Sequence, residues 1–250
     1  MHPTVDEAIA LQEQLRAQVD TVGPGPQHPR YVAGLDVAYD GDEYAAAVVV
    51  LEVLRAPAGA EADPHPRPVD PGSVVPGSVG PGSAVPGPVE LREVERAVVR
   101  GRTGFPYVPG LFAFREVPGL LAALDRLQVT PELLVCDGQG LAHPRRFGLA
   151  CHLGVVTGLP SIGVGKTAFV GDWDEPGPLR GNASDLVLDG DVVGKVLRTQ
   201  NKTKPVFVSV GHRVSLATAV DRVLELAPRY RLPETTRAAD RACRDGLVRR

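Results

Sequence analysis

The sequence predicts a mixed α/β sheet with flanking helices, folded as a single domain, and three observations carry that prediction. Two alternating apolar segments, YVAGLDVAYD (31–40) and YAAAVVVLEVL (44–54), flank Asp40-Gly41-Asp42 and read as a β-hairpin. Short apolar runs, ELLVCD (132–137) and SIGVG (161–165), have the length and composition of buried strands. Helical patterns separate these runs, which is the rhythm of an α/β chain.

Taken in order, residues 4–20 read as an amphipathic helix and 23–30 as a Gly/Pro loop before the hairpin. From about 56 to 89 the pattern breaks: PGSVVPGSVGPGSAVPGPV repeats Pro-Gly and buries too little apolar surface to order itself. We expect a disordered surface insertion between two strands, with a partner-binding tail as the alternative. A strand over 91–99 follows, then a proline-rich loop, a helix near 115–127 and the strand 132–137. Pro144 suits the first turn of a helix running to about 157. The strand 161–165, a hairpin over 186–198, a strand over 206–211 and helices at about 214–226 and 235–247 complete the chain. The expected sheet has three antiparallel strands followed by alternating helices and parallel strands.

Composition narrows the function. The net charge of −3 argues against a protein held to nucleic acid by bulk charge, yet all four lysines fall between Lys166 and Lys204. Cys136, Cys151 and Cys243 show no metal or redox spacing, so buried free thiols in a reducing compartment are expected. The N-terminal segment carries acids and no long apolar run, and the longest apolar stretch is too short to span a bilayer. A soluble, cytoplasmic chain without a membrane partner is expected.

The stretch FPYVPGLFAFRE (105–116) is the most informative. Pro106 and Pro109 bracket Tyr107 and Val108, fixing an aromatic ring on a stiff turn so that it is presented. Asp36 stands mid-strand in apolar surroundings and Asp137 ends a strand. Either alone suits a turn or a cap, and an unpaired carboxylate there is costly. With Glu116 they offer three hard oxygen donors, the set that Mg²⁺ or Mn²⁺ prefers. Asp240, on the last helix, is either a fourth or a solvated helix face. After Asp137, Gly138 and Gly140 permit close backbone approach to a ligand. His143, with Arg145 and Arg146, heads an expected helix whose positive end suits phosphate. IGVGKT (162–167) lacks the first glycine of a phosphate-binding P-loop, since Pro160 stands there. Lys166 instead ends a strand, where the sites of open α/β sheets gather.

Together these stretches resemble endonuclease V, a nuclease family acting at deaminated adenine. The resemblance runs through GLDVAYD, PYVPGLFAFRE, CDGQGLAHPRRFGLACHLG, IGVGKT, GHRVS and RLPETTRAAD. It implies a ribonuclease H-like fold and Mg²⁺-dependent cleavage at the second phosphodiester bond 3′ to the lesion, leaving a 3′-hydroxyl and a 5′-phosphate, with Mn²⁺ as a substitute ion. It implies metal ligation by Asp36, Asp137 and Glu116, completed by Asp240, with Lys166 as the catalytic lysine. Pro106, Tyr107, Val108 and Pro109 match a strand-separating wedge. Backbone groups near Gly110, Leu111, Gly138 and Gly140, with His143 beside them, are candidates to read the base. The expected partner is inosine-containing DNA, with inosine-containing RNA as the rival, bound by a monomer. The chain departs from some relatives in its Pro/Gly insertion and in carrying Thr167 after Lys166. A general structure-specific nuclease, a catalytically dead nucleic-acid-binding module and a small-molecule phosphohydrolase are the other readings.

Overall fold

The computed structural model describes residues 3–55 and 89–248. The insertion expected at 56–89 lies, apart from Val89, outside the described residues. Helix α1 (Val5–Arg16) starts at the Thr4/Glu7 capping box, in which each side chain accepts from or caps the other's backbone. It stops four residues earlier than expected. β1 (Tyr31–Asp40) and β2 (Glu43–Arg55) form the hairpin, turning through Gly41 in left-handed conformation (φ 59°).

β3 (Val89–Arg102) is longer than the expected 91–99, because it pairs with the whole of β2, from Val89↔Arg55 to Arg102↔Glu43. As the edge strand it carries the charged run LREVER, which discourages pairing with another chain. Then come α2 (Ala113–Leu124), β4 (Leu133–Asp137), α3 (Leu149–Thr157) and β5 (Ser161–Gly165). β6 (Ala183–Leu188), β7 (Asp191–Leu197), β8 (Val206–His212), α4 (Leu216–Leu226) and α5 (Glu234–Val248) follow.

Among the described residues eight strands join one sheet in the order β3-β2-β1-β4-β5-β8-β7-β6. Only β1, β4 and β5 run parallel, and β8 is antiparallel to β5, which corrects the expectation of parallel strands to the end. The reason is connectivity: β6, β7 and β8 are consecutive, joined by short links, and no helix intervenes to reverse the chain.

Strand alternation sorts the core. Ala33, Leu35, Leu134 and Cys136 face α2 and α3, whereas Val32, Leu133, Val135, Ile162 and Val164 face α4. α5 covers β1 and β2 on the α4 side, with Ala239 and Ala242 against Ala45, Ala47 and Val49. This contact needs Gly34, since a Cβ there would sit 2.0 Å from the Thr235 carbonyl oxygen.

Pro144 does not open a helix. The chain turns at His143–Arg146, closed by the Arg146 N–H to the His143 carbonyl at 2.8 Å, with Arg146 left-handed (φ 53°). α3 begins only after Gly148, its N-cap. The three cysteines are buried free thiols, and among the described residues no helix is long and apolar enough to cross a membrane.

Candidate active site

Register brings the two aspartates together. β1 and β4 are in parallel pairing up to Leu35↔Cys136, so Asp36 and Asp137 stand one residue further along adjacent strands, on the same face. Asp137 lies opposite Val164 of β5, two residues before Lys166, so Lys166 shares that face as well. The Lys166 ammonium reaches Asp137 Oδ2 at 2.5 Å. Asp240 comes from α5, which crosses β1, and lines one pocket of about 290 Å³ with Asp137 and Lys166. Its carboxylate also accepts from Arg244 Nε at 3.1 Å. Glu116 approaches the same strand ends from the opposite face, in the first turn of α2, and is buried.

These groups also feel one another electrostatically. Burial, then repulsion from Asp137, pushes the Asp36 carboxyl up to about 7. Burial, then the charges of Asp36 and Asp137, holds Glu116 well above the usual carboxylate range. Partial burial works against the Lys166 charge, but the hydrogen bond to Asp137 and the charges of Asp137, Asp36 and Asp240 outweigh it and raise its pKa.

Among the described residues no three His, Cys, Asp or Glu side chains are already drawn into a ligand cluster. The donor chemistry nevertheless fits a hard divalent cation. Two of the carboxylates are held above their ordinary range by burial first and then by repulsion among the neighbouring acids, a cost that a bound cation would relieve.

Beside the acids lies a cavity of about 250 Å³, with Glu116 and Asp137 at its edge. Tyr107, Val108, Pro109, Gly110, Gly138 and His143 line it, and so do Phe112, Leu149, Gln139 and Phe169, which sequence reasoning missed. The position of Gln139 between Gly138 and Gly140 was a signal for it, whereas nothing in the sequence marked Phe169. His143 is neutral at physiological pH: burial, then the nearby Arg145 charge, pushes its pKa down to about 4. Its ring packs 5.6 Å from that of Phe169.

Tyr107 is 70% exposed and stands at the head of an aromatic series, edge-on to Phe112 at 5.7 Å, with Tyr39 5.9 Å further on. A clamp beneath holds the loop. Buried Gln12 of α1 donates to the carbonyls of Gly110 and Phe147, each at 3.0 Å, and accepts from Arg145 Nε at 2.6 Å. Arg145 also donates to the Gly110 carbonyl at 2.7 Å.

Several expectations are corrected by these bonds. The Gly110 carbonyl is occupied inside the protein and is not free to read a base. Leu111 is a core residue, packed with Ala8, Phe105 and Phe114, and its N–H bonds the Val108 carbonyl at 2.9 Å. Gly140 is outside the cavity: its N–H bonds Ser209 Oγ at 2.8 Å, its carbonyl accepts from Gly148, and a Cβ would meet the Val210 oxygen at 2.0 Å. The wedge expectation for Pro106 is untouched by these bonds: it is exposed next to Tyr107, outside the cavity. Arg145 and Arg146 are spent within the protein, Arg146 on the Leu188 carbonyl at 2.6 Å, and neither heads a helix.

Comparison with known proteins identifies the family and the fold. The family model described as Endonuclease V matches residues 84–241. The chain is 51% identical to an endonuclease V of Nocardia farcinica over 246 residues, covering 98% of this chain and 93% of that one. The crystal structure of the Streptomyces avermitilis endonuclease V is similar with a TM-score of 0.80 at 48% identity, over 98% and 93% of the two chains. A Ciona intestinalis endonuclease V, solved in complex with a 24mer DNA containing an inosine followed by a ribo-adenosine, matches with a TM-score of 0.73 at 25% identity, over 97% of each chain. The fold is the ribonuclease H-like one.

Proposed function

This chain belongs to the endonuclease V family and is a nuclease, and on that premise we propose that it cuts DNA beside deaminated adenine. The observation that carries the reading is that Glu116 and Asp137 line a cavity of about 250 Å³, while Asp137 also pairs with Lys166 and stands beside Asp36 on the adjacent strand. Pure binding has no use for carboxylates facing a phosphate chain. A small-molecule phosphohydrolase has no use for an exposed Tyr107 at the cavity mouth.

In this reading Tyr107 wedges into the duplex and fills the gap left by the flipped base, whose extrusion costs a few kcal/mol and least at a mismatched inosine. The cavity receives the base between the apolar walls of Phe112, Leu149 and Phe169, with Gly138 backbone and neutral His143 to meet its polar edge. Deamination replaces an amine donor with a carbonyl acceptor and adds a proton at N1, so the edge presented is reversed. Asp36, Asp137 and Glu116 would hold Mg²⁺, with Asp240 completing the set. When bound, the ion activates water and stabilises the leaving 3′ oxygen. Lys166 stabilises charge on the scissile phosphate and orients Asp137. The cut falls at the second phosphodiester bond 3′ to the lesion, leaving a 3′-hydroxyl and a 5′-phosphate.

The Ciona relative was solved with a ribonucleotide directly after the inosine, which makes an RNA substrate the reading to test beside DNA. Purified protein is incubated with end-labelled strands carrying one inosine or one adenine, in DNA and RNA versions, with Mg²⁺ or EDTA. One Mg²⁺-dependent cut at the stated bond, absent from the adenine control, is expected. Cutting in EDTA, or equal cutting of both strands, contradicts the reading.

A further inference from the structure

A second concavity of about 610 Å³ borders Lys166. Lys166, Trp173, Lys202, Lys204 and Arg231 line it, so three of the four lysines of a chain of net charge −3 meet here. Trp173 is half-exposed and packs edge-on against buried Phe207 at 5.1 Å. Its segment is fixed by the paired hydrogen bonds of Asp172 with Val187, at 2.8 and 2.9 Å. The indole is therefore a held platform with an open face.

The loop bearing Lys202 and Lys204 is also built. Buried Arg198 bonds the Thr203 and Gly177 carbonyls and pairs with Glu175, which cancels the acid in the groove. Lys202 sits in left-handed backbone (φ 57°), a conformation a non-glycine residue keeps only where its surroundings impose it. Arg231 donates to the carbonyls of Lys166, Lys204 and Pro205 at 2.6, 3.0 and 2.8 Å, tying the catalytic segment to this loop. Lys202 and Lys204 are exposed, and among the described residues neither has an ion-pair partner.

The order along the surface is continuous. The base cavity and the acid pocket share Asp137, and the acid pocket and the basic groove share Lys166. We propose that this groove is a subsite for the strand 3′ of the cut, with a base stacked on Trp173 and its phosphates against Lys202 and Lys204. The proposal rests on the nuclease reading above. Stacking on an aromatic face tolerates any base, which suits a position beyond the lesion where sequence must not matter.

The test uses inosine strands labelled at the 5′ end: one extending well past the cut, one ending a nucleotide after it, and one shortened on the 5′ side instead. Binding is read by fluorescence anisotropy in EDTA and cutting in Mg²⁺. Trp173→Ala is expected to weaken binding of the long strand about tenfold, with Trp173→Phe restoring most of it. The double variant Lys202→Ala/Lys204→Ala should lower the slope of log Kd against log salt by about 1.4. Shortening the 3′ side should cost the wild type a loss similar to that of Trp173→Ala, and the two losses should not add. Wild-type cutting with full-strength binding by Trp173→Ala and by the lysine double variant would overturn the subsite alone. So would losses that persist undiminished on the 3′-shortened strand. A wild type that cuts no inosine strand would overturn the nuclease reading, and the subsite with it.

Discussion

Lys166 Nζ lies 2.5 Å from Asp137 Oδ2, across adjacent parallel strands of the sheet. The pair places the site's lysine against one of its three acids, where a phosphate oxygen and a cation would both compete for it. Lys166→Ala is expected to lower kcat by about 10²–10³-fold. Binding of the inosine strand should change far less. Single-turnover cutting and anisotropy separate the two, and an unchanged kcat removes Lys166 from the chemistry.

Tyr107 has most of its ring in solvent although it lies beside an apolar series. That exposure is an unfavourable use of an aromatic residue unless the ring meets something. Tyr107→Ala should weaken discrimination of inosine from adenine by about tenfold, the scale of one lost stacking contact. The rate at saturating substrate should stay near that of the wild type. A variant with normal discrimination and a collapsed kcat would refute the wedge.

Asp36 destabilises the metal-free fold at neutral pH. Its folded pKa of about 7 is above the ordinary 3.8, so its contribution to stability is fully present below pH 4 and is lost as pH rises through 7. Above pH 7 the cost is on the order of 4 kcal/mol. Asp36→Asn should therefore melt higher than the wild type in EDTA at pH 8, and Mg²⁺ should narrow the difference by stabilising only the wild type. A lower melting temperature for the variant in EDTA would contradict this.

His152 works in the other direction. It is buried on α3 between Phe114 and Phe147, with ring centroids 5.2 and 5.5 Å away, and burial pushes its pKa down to about 4. A neutral buried imidazole contributes stability above its unfolded value of 6.5 that is lost as pH falls through 4. The loss is on the order of 3 kcal/mol. Urea unfolding between pH 7 and 4 should show a shallower acid decline in His152→Leu than in the wild type. Identical slopes would show that the histidine is not responsible.

Much of this site was legible in the sequence because its features are locally expensive. A carboxylate in the middle of YVAGLDVAYD and a tyrosine between two prolines both demand a reason. The hairpin, the strand ending at Asp137 and the strand leading to Lys166 follow from period and punctuation. Glycines were less readable. Gly140 and Gly34 exist for chain packing, against Val210 and Thr235, and a sequence does not say whether a close approach is to a ligand or to the protein itself. Pro144 misled because its φ suits a helix start, while the left-handed Arg146 two residues later ends any such turn. The Gln12 clamp was hidden too, since it links residues 98 and 135 positions away.

The central claim is that Asp36, Glu116 and Asp137 bind one divalent site. Mn²⁺ binding measured by electron paramagnetic resonance, on the wild type and on Asp36→Asn, Glu116→Gln and Asp137→Asn, tests it directly. The account predicts that each variant binds Mn²⁺ at least tenfold more weakly and that the aspartate variants no longer cut inosine strands. Wild-type Mn²⁺ affinity in all three variants would contradict it.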